Sequence, residues 1–180
     1  MDFRLSEEQQ MFRDSVRGFA QTHLAAGALA RAHHDEHPWD VAKLMAGQGL
    51  MGITMKEEDG GQGGSLMDAV IAIETVAQVC PRSADVIQAG NFDPVRVLAE
   101  YGTRGQKDRY LSKILRGEAV TCVGMTEPGA GSAVTDLTTS ATPDGDGYRI
   151  NGSKVFTTHA QYADVMLVYV RFGPGVGGIG

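Results

Sequence analysis

The spacing of the apolar residues changes near Gly117, and this change constrains the fold more than any other feature of the sequence. Before Gly117, apolar side chains recur three or four positions apart, as Phe12, Val16 and Phe19 do, which places them on one face of a helix. After Gly117, short apolar runs alternate with polar residues and are bounded by turn residues, which is typical of β-strands. The sequence therefore predicts an α+β protein in which an all-α N-terminal domain is followed by an incomplete antiparallel β-domain.

Residues that favour helix ends indicate where the predicted helices begin. Ser6 with Gln9 and Thr103 with Gln106 fit the capping-box pattern, in which two side chains bond to backbone N–H groups at a helix start. Ser65 is the predicted N-cap of a further helix. The other predicted elements of this part are helices at 39–45, 82–90 and 94–101, an extended piece at 51–55, a glycine-dense loop at 57–64 and a helix end at Gly117.

The second part of the chain predicts strands at 120–125, 137–141, 148–150, 155–158 and 164–172. The pair Asn151-Gly152 strongly favours a two-residue hairpin turn, so residues 155–158 are the expected return strand. Residues 165–170 are apolar on both faces, which predicts a central strand that is covered on both sides. These strands are too few to close a barrel, so we expect a fragment or a subunit that needs another chain.

Charge and cysteine content exclude several classes of partner. The chain has 16 basic and 22 acidic residues and a net charge of −6, which predicts no nucleic-acid partner. The N-terminus lacks a basic start followed by an apolar run, and no apolar stretch has the length of a membrane span, so we expect neither secretion nor a membrane partner. Cys80 and Cys122 are far apart and suggest a reducing interior, which favours a cytoplasmic location.

Several short patterns suggest a site, but each is weak when it is taken alone. His33 and His37 have helical ligand spacing, yet no further His or Cys group completes a metal shell, so no metal site is predicted. The glycine-rich run 175–180 matches a dinucleotide-binding fingerprint without the helix and acidic residue that must follow it. Residues 125–132 combine glycines with hydroxyl side chains after a predicted strand, a composition that can form an anion-binding nest.

The order of the motifs is more specific than any one of them. A Glu-Glu-Asp-Gly-Gly-Gln-Gly loop at 57–63 precedes Tyr-Gly-Thr at 101–103, and Thr-Glu-Pro-Gly-Ala-Gly-Ser at 126–132 precedes Asn-Gly-Ser-Lys at 151–154. In this order and spacing the chain resembles the acyl-CoA dehydrogenase family along essentially all 180 residues. The resemblance implies an all-α N-terminal domain over 1–118 and part of the middle β-domain over 119–180, with the C-terminal four-helix domain of the family absent from this sequence.

The resemblance also implies a chemistry and a set of contacts. Members of the family use FAD to remove an α proton and a β hydride from an acyl-CoA, which becomes an enoyl-CoA while the hydride passes to flavin N5. They pass electrons to an electron-transfer flavoprotein and form homo-oligomers, either dimers or tetramers. The catalytic glutamate belongs to the C-terminal domain, so no catalytic residue is assigned here. The implied cofactor contacts are Met125, Thr126, Ser132, Phe156 and Thr158, and Ser132 is also an implied substrate contact.

The chain departs from the family pattern at a few positions. Ala133 replaces a common aspartate, Thr157 an aliphatic residue and His159 an asparagine, and Asn91-Phe92 lies where a histidine is often found. Two alternatives stay open within the same fold. One is an acyl-CoA oxidase or flavin monooxygenase that reacts with oxygen, and the other is a non-catalytic half-subunit of a heteromeric complex.

Overall fold

The computed structural model describes residues 4–92 and 94–180, and the chain divides into two compact units, residues 1–120 and residues 121–180. The first unit is helical and the second is β-rich, so the predicted α+β class is confirmed. The helices of the first unit are α1 (Glu7–His23), α2 (Ala28–Ala32), α3 (Trp39–Gly47), α4 (Leu66–Ala77), α5 (Pro81–Ala89), α6 (Pro94–Tyr101), α7 (Arg104–Gln106) and α8 (Ser112–Leu115). A π-helical turn, Lys107–Leu111, joins α7 to α8.

The predicted helix caps are confirmed. The hydroxyl of Ser6 accepts a hydrogen bond from the Gln9 N–H at 3.2 Å, and the Gln9 side chain accepts one from the Ser6 N–H at 3.0 Å. Ser65 and Thr103 form the same reciprocal arrangement at the starts of α4 and α7. These caps satisfy N–H groups that no helical carbonyl can reach, which fixes where each helix begins.

The core of the helical unit joins α1, α3, α4 and α5. The buried side chain of Asn91 forms hydrogen bonds with three backbone groups of this unit. Asn91 is 0% exposed. Its side chain donates to the carbonyls of Leu50 and Ile87 at 2.8 Å each and accepts from the Ile53 N–H at 2.5 Å. The extended conformation predicted for 51–55 is therefore wrong, because this segment turns at Gly52 (φ +70°) to meet Asn91.

Gly117 ends the last helix, as predicted. Its φ of +68° lies in the left-handed region, where an L side chain is strained. A Cβ at this position would also lie 2.4 Å from the backbone carbonyl carbon of Ala42. Glycine is therefore required here both for the turn and for the close approach to α3.

The β-rich unit contains β1 (Thr121–Gly124), β2 (Ser140–Asp144), β3 (Gly147–Asn151) and β4 (Val165–Val168). The β2–β3 hairpin is antiparallel, as expected, but β1 and β4 pair in parallel. The antiparallel expectation is wrong for this pair, because the long segment between β1 and β4 allows a crossover connection. Among the described residues β4 pairs only with β1, and Met166 is 42% exposed, so the doubly covered strand predicted at 165–170 is wrong.

Asn151-Gly152 does not form the predicted hairpin turn. The hairpin closes at residues 145–146, where Gly145 has a φ of +62°, and Asn151 is the last residue of β3. Gly152, with a φ of +154°, passes so close to Thr139 that an added Cβ would lie 2.6 Å from the Thr139 Cα. Residues 155–158 consequently leave the sheet as an irregular segment, and the strand predicted there is wrong.

Candidate functional site

The turn after β1 carries two of the predicted site residues, Met125 and Thr126. It is closed by two backbone hydrogen bonds, from the Glu127 N–H to the Ala130 carbonyl at 2.9 Å and from the Ala130 N–H to the Glu127 carbonyl at 3.1 Å. Pro128 and Gly129 form its exposed tip. The Pro-Gly pair thus shapes a compact turn directly beyond the end of the strand.

Glu127 places a carboxylate in the interior of the β-rich unit, with 6% of the residue exposed. Its Oε2 accepts from the backbone N–H and the hydroxyl of Thr138 at 2.7 and 2.8 Å. Its Oε1 accepts from the Thr139 N–H at 2.8 Å and from Lys154 Nζ at 2.9 Å. The charge is therefore both paired and hydrogen-bonded, which a buried carboxylate requires.

The ionised form of Glu127 is strongly favoured. Burial by itself would raise the pKa of this carboxyl, but the hydrogen bonds from Thr138, Thr139 and Lys154 outweigh burial and hold its pKa far below the ordinary value. Since the lone pairs are occupied and the pKa is low, Glu127 is unsuited to act as a general base near neutral pH.

The structure brings the two predicted motifs together at this turn. Lys154 Nζ donates to the Met125 carbonyl at 3.0 Å, and the Val155 N–H donates to the Thr126 carbonyl at 2.9 Å. The segment that leads to Phe156 therefore lies along the turn that carries Met125 and Thr126.

Phe156 is the most exposed large apolar residue that the structure describes, at 91%. Its φ of +56° lies in the left-handed region, which is rare for an aromatic residue. His159, three residues later, also has a positive φ, of +70°. Strained backbone and an exposed aromatic ring on one short segment are features that cluster at ligand-binding sites.

The other predicted site residues, Ser132 and Thr158, are both exposed, and neither is hydrogen-bonded to another described residue. Ser132 lies in a bend beyond the turn, and Thr158 begins the turn that follows Phe156. Their hydroxyls are available to a ligand, and among the described residues no hydrogen bond joins them to Met125, Thr126 or Phe156.

Sequence reasoning missed Glu127 and Lys154 as members of the site. Both lie inside the motifs that were singled out, and an acid in one motif with a base in the other was a signal for their pairing. Their side chains are almost fully buried, with 5% and 10% of the side-chain surface exposed.

Two kinds of structural feature are absent from residues 4–92 and 94–180. No group of three or more His, Cys, Asp or Glu side chains there is arranged to hold a metal ion. His33 and His34 are exposed while His37 is buried. In this described part of the chain, no helix has both the length and the apolar character needed to cross a membrane.

Known proteins resemble this chain over nearly its whole length. A short-chain-specific acyl-CoA dehydrogenase of Clostridium acetobutylicum is 35% identical over 169 residues, which are 94% of this chain and 45% of that protein. The FAD complex of PigA superposes with a TM-score of 0.87 at 29% identity, covering 99% of this chain and 48% of the other. The structure of the electron-transferring flavoprotein of Acidaminococcus fermentans gives a TM-score of 0.84 at 33% identity, with 99% and 48% covered.

Family models account for both units of the chain. The chain spans about half the length of the relatives described above. The model of the acyl-CoA dehydrogenase N-terminal domain matches residues 6–118, and the model of the middle domain of the same family matches residues 122–179. With one family accounting for the helical unit and for the β-rich unit, the chain belongs to the acyl-CoA dehydrogenase family.

Proposed function

We propose that the intact protein is an FAD-dependent acyl-CoA dehydrogenase that converts an acyl-CoA thioester to an enoyl-CoA. The observation that carries this proposal is the contact between the turn at 125–127 and the segment at 154–156, which sets backbone donors beside an exposed aromatic residue. Membership of the family and the similarity to an FAD complex support the same cofactor and reaction.

The described residues fit a flavin ring. The carbonyls of Met125 and Thr126 already accept hydrogen bonds, whereas their N–H groups donate none to the described residues. These N–H groups and the Thr126 hydroxyl would meet the polar edge of the ring, and Phe156 would cover an apolar part of it. We assign Ser132 and Thr158 as further hydroxyl contacts, with Ser132 also toward the acyl-CoA.

FAD, when bound, supplies the hydride acceptor of this chemistry. The residues of this chain would orient the ring and stabilise the negative charge that develops on it, because fixed donors act strongly where water is excluded. The hydrogen bonds of the Glu127 carboxylate stabilise the turn. They also occupy its lone pairs, so this carboxylate is not available to remove a substrate proton. No described residue is therefore assigned as the base.

We further propose that the protein acts in the cytoplasm as a homodimer or homotetramer and passes its electrons to an electron-transfer flavoprotein. The similarity to the electron-transferring flavoprotein structure of Acidaminococcus fermentans supports an electron-transfer role. Subunit mass by light scattering tests the oligomeric state, and reduction of a purified electron-transfer flavoprotein tests the electron acceptor.

The absorbance spectrum of the intact protein tests the central proposal. We expect bound flavin after purification or reconstitution, bleaching by members of a panel of CoA thioesters, and electron transfer to a dye. An intact protein that binds no FAD on reconstitution would refute the proposal. Hydrogen peroxide formed without any other acceptor would instead identify an oxidase of the same fold.

A further inference from the structure

We propose that Lys154 and Glu127 are a positioning pair that aims the Thr126 N–H at the flavin, a role that rests on the proposed function. Neither side chain is itself a cofactor contact, since both are buried and bonded within the β-rich unit. They act on the cofactor through the direction of one backbone donor.

The ammonium of Lys154 is directed into the protein rather than into water. Only 10% of its side chain is exposed, and Nζ donates to the Met125 carbonyl and to Glu127 Oε1 at 3.0 and 2.9 Å. Its aliphatic stem crosses the end of β1 at Gly124, where an added Cβ would lie 3.4 Å from Lys154 Cγ. A lysine that serves only solubility extends its charge to the surface, so this burial indicates a specific structural role.

Glu127 is the second acceptor that fixes the position of the ammonium. Its carboxylate is anchored by both donors of Thr138 and by the Thr139 N–H, just before β2 begins. Lys154 therefore bonds to an acceptor that is itself immobile, and the ion pair connects the turn after β1, the approach to β2 and the segment before Phe156.

Because the peptide bond is planar, holding the Met125 carbonyl in place also fixes the direction of the Thr126 N–H. The Met125 carbonyl and the Thr126 N–H belong to one planar trans peptide, so they point in opposite directions. When Lys154 holds the carbonyl, the Thr126 N–H must point away from Lys154. The bond from the Val155 N–H to the Thr126 carbonyl fixes the next peptide in the same way.

Loss of the Lys154 charge should free this peptide to rotate, and the Thr126 donor should then spend less time in its binding direction. Reduced flavin carries more negative charge than oxidised flavin, so it should lose more binding than the oxidised form does. We expect Lys154→Met to weaken FAD binding by about tenfold, a magnitude typical of losing an orienting group behind a ligand contact. If binding of the reduced form falls about tenfold further, the two-electron midpoint potential falls by about 30 mV.

The test uses the intact holoenzyme and a matched control. Lys154→Met keeps the length of the stem and removes the charge, Lys154→Arg restores a cation, and Arg149→Met removes the exposed ion pair with Asp144. For each protein the FAD dissociation constant, the flavin midpoint potential and the thermal unfolding midpoint are measured. We expect weaker FAD binding and a lower potential in Lys154→Met, and partial recovery in Lys154→Arg. For Arg149→Met we expect an FAD dissociation constant within about twofold of wild type and an unchanged potential.

The outcomes distinguish failure of the positioning role from failure of the proposed function. Wild-type protein that binds no FAD refutes the proposed function, whatever the variants do. If wild type binds FAD and Lys154→Met has an unchanged potential and FAD affinity, the positioning role is wrong. Should Lys154→Met fail to fold, Glu127→Gln replaces it, because the amide keeps the size of the side chain while it removes the charge and one of the two acceptor oxygens. A lowered potential supports the role, and an unchanged one overturns it.

Discussion

Replacement of the buried Asn91 by leucine should destabilise the helical unit by removing three hydrogen bonds at once. Leucine branches at Cγ as asparagine does but can neither donate to the carbonyls of Leu50 and Ile87 nor accept from the Ile53 N–H. Among the described residues these three backbone groups have no other hydrogen-bond partner. They would remain buried and unpaired after the substitution.

The expected loss follows from the number of groups left unpaired. Each buried group without a partner costs about 1 to 3 kcal/mol. Burial of the larger apolar side chain returns about 1 kcal/mol. The net loss should be about 2 to 8 kcal/mol, which is a large share of the stability of a typical domain, about 5 to 15 kcal/mol.

Hydrogen exchange followed by mass spectrometry locates this loss in the intact protein. Peptides that cover 50–56 should exchange about 100-fold faster in Asn91→Leu, since about 1.4 kcal/mol corresponds to a factor of ten. The matched control is Asn151→Leu, because Asn151 is exposed and makes no side-chain hydrogen bond among the described residues. Equal protection in the two variants, or a loss below about 1 kcal/mol, would show that the Asn91 bonds do not support this segment.

Four further predictions concern other single residues. The pKa of Glu127 is depressed in the folded protein, so its contribution to stability is complete above its unfolded pKa of about 4.3 and is lost as the pH falls below that value. Between pH 7 and 3, the thermal unfolding midpoint should therefore fall less steeply in Glu127→Gln than in wild type. Gly117→Ala should cost about 2 kcal/mol in urea denaturation, because it strains a positive φ and meets α3. Gly18→Ala, within α1 and with open space around it, should instead stabilise by about 0.5 to 1 kcal/mol. Phe156→Gly should relieve about 1 kcal/mol of backbone strain while it weakens FAD binding, so a raised melting midpoint with unchanged FAD affinity would contradict the assignment of Phe156.

Features encoded by neighbouring residues were predictable from the sequence. The caps at Ser6, Ser65 and Thr103 depend on side chains three residues away, and Gly117 marks a helix end through its own φ. Each of these signals is local, so tertiary packing did not override it.

Features that depend on distant residues were not predictable. Asn151-Gly152 strongly favours a hairpin turn by its sequence, but its conformation in the fold is set by the close approach of Gly152 to Thr139. The turn at Gly52 depends on Asn91, which is far away in sequence. The motifs predict the region of the candidate site from sequence alone, whereas the ion pair between Glu127 and Lys154 depends on the fold that brings the two motifs together.

The wide turn at Lys107–Leu111 has a consequence for protein engineering. An α-helix advances about 100° per residue, whereas a π-helical turn holds one residue more than the same turn of α-helix. Deleting one residue there would restore a regular α-helix and leave α7 and α8 nearly in phase, because the wide turn holds its extra residue within one turn. Lys107, whose Nζ lies 2.9 Å from Asp59 Oδ2, and the buried Leu111 would then stay close to their present positions. A library of single-codon deletions should therefore show tolerance at this turn, whereas a deletion within α1 would rotate the rest of that helix by about 100°.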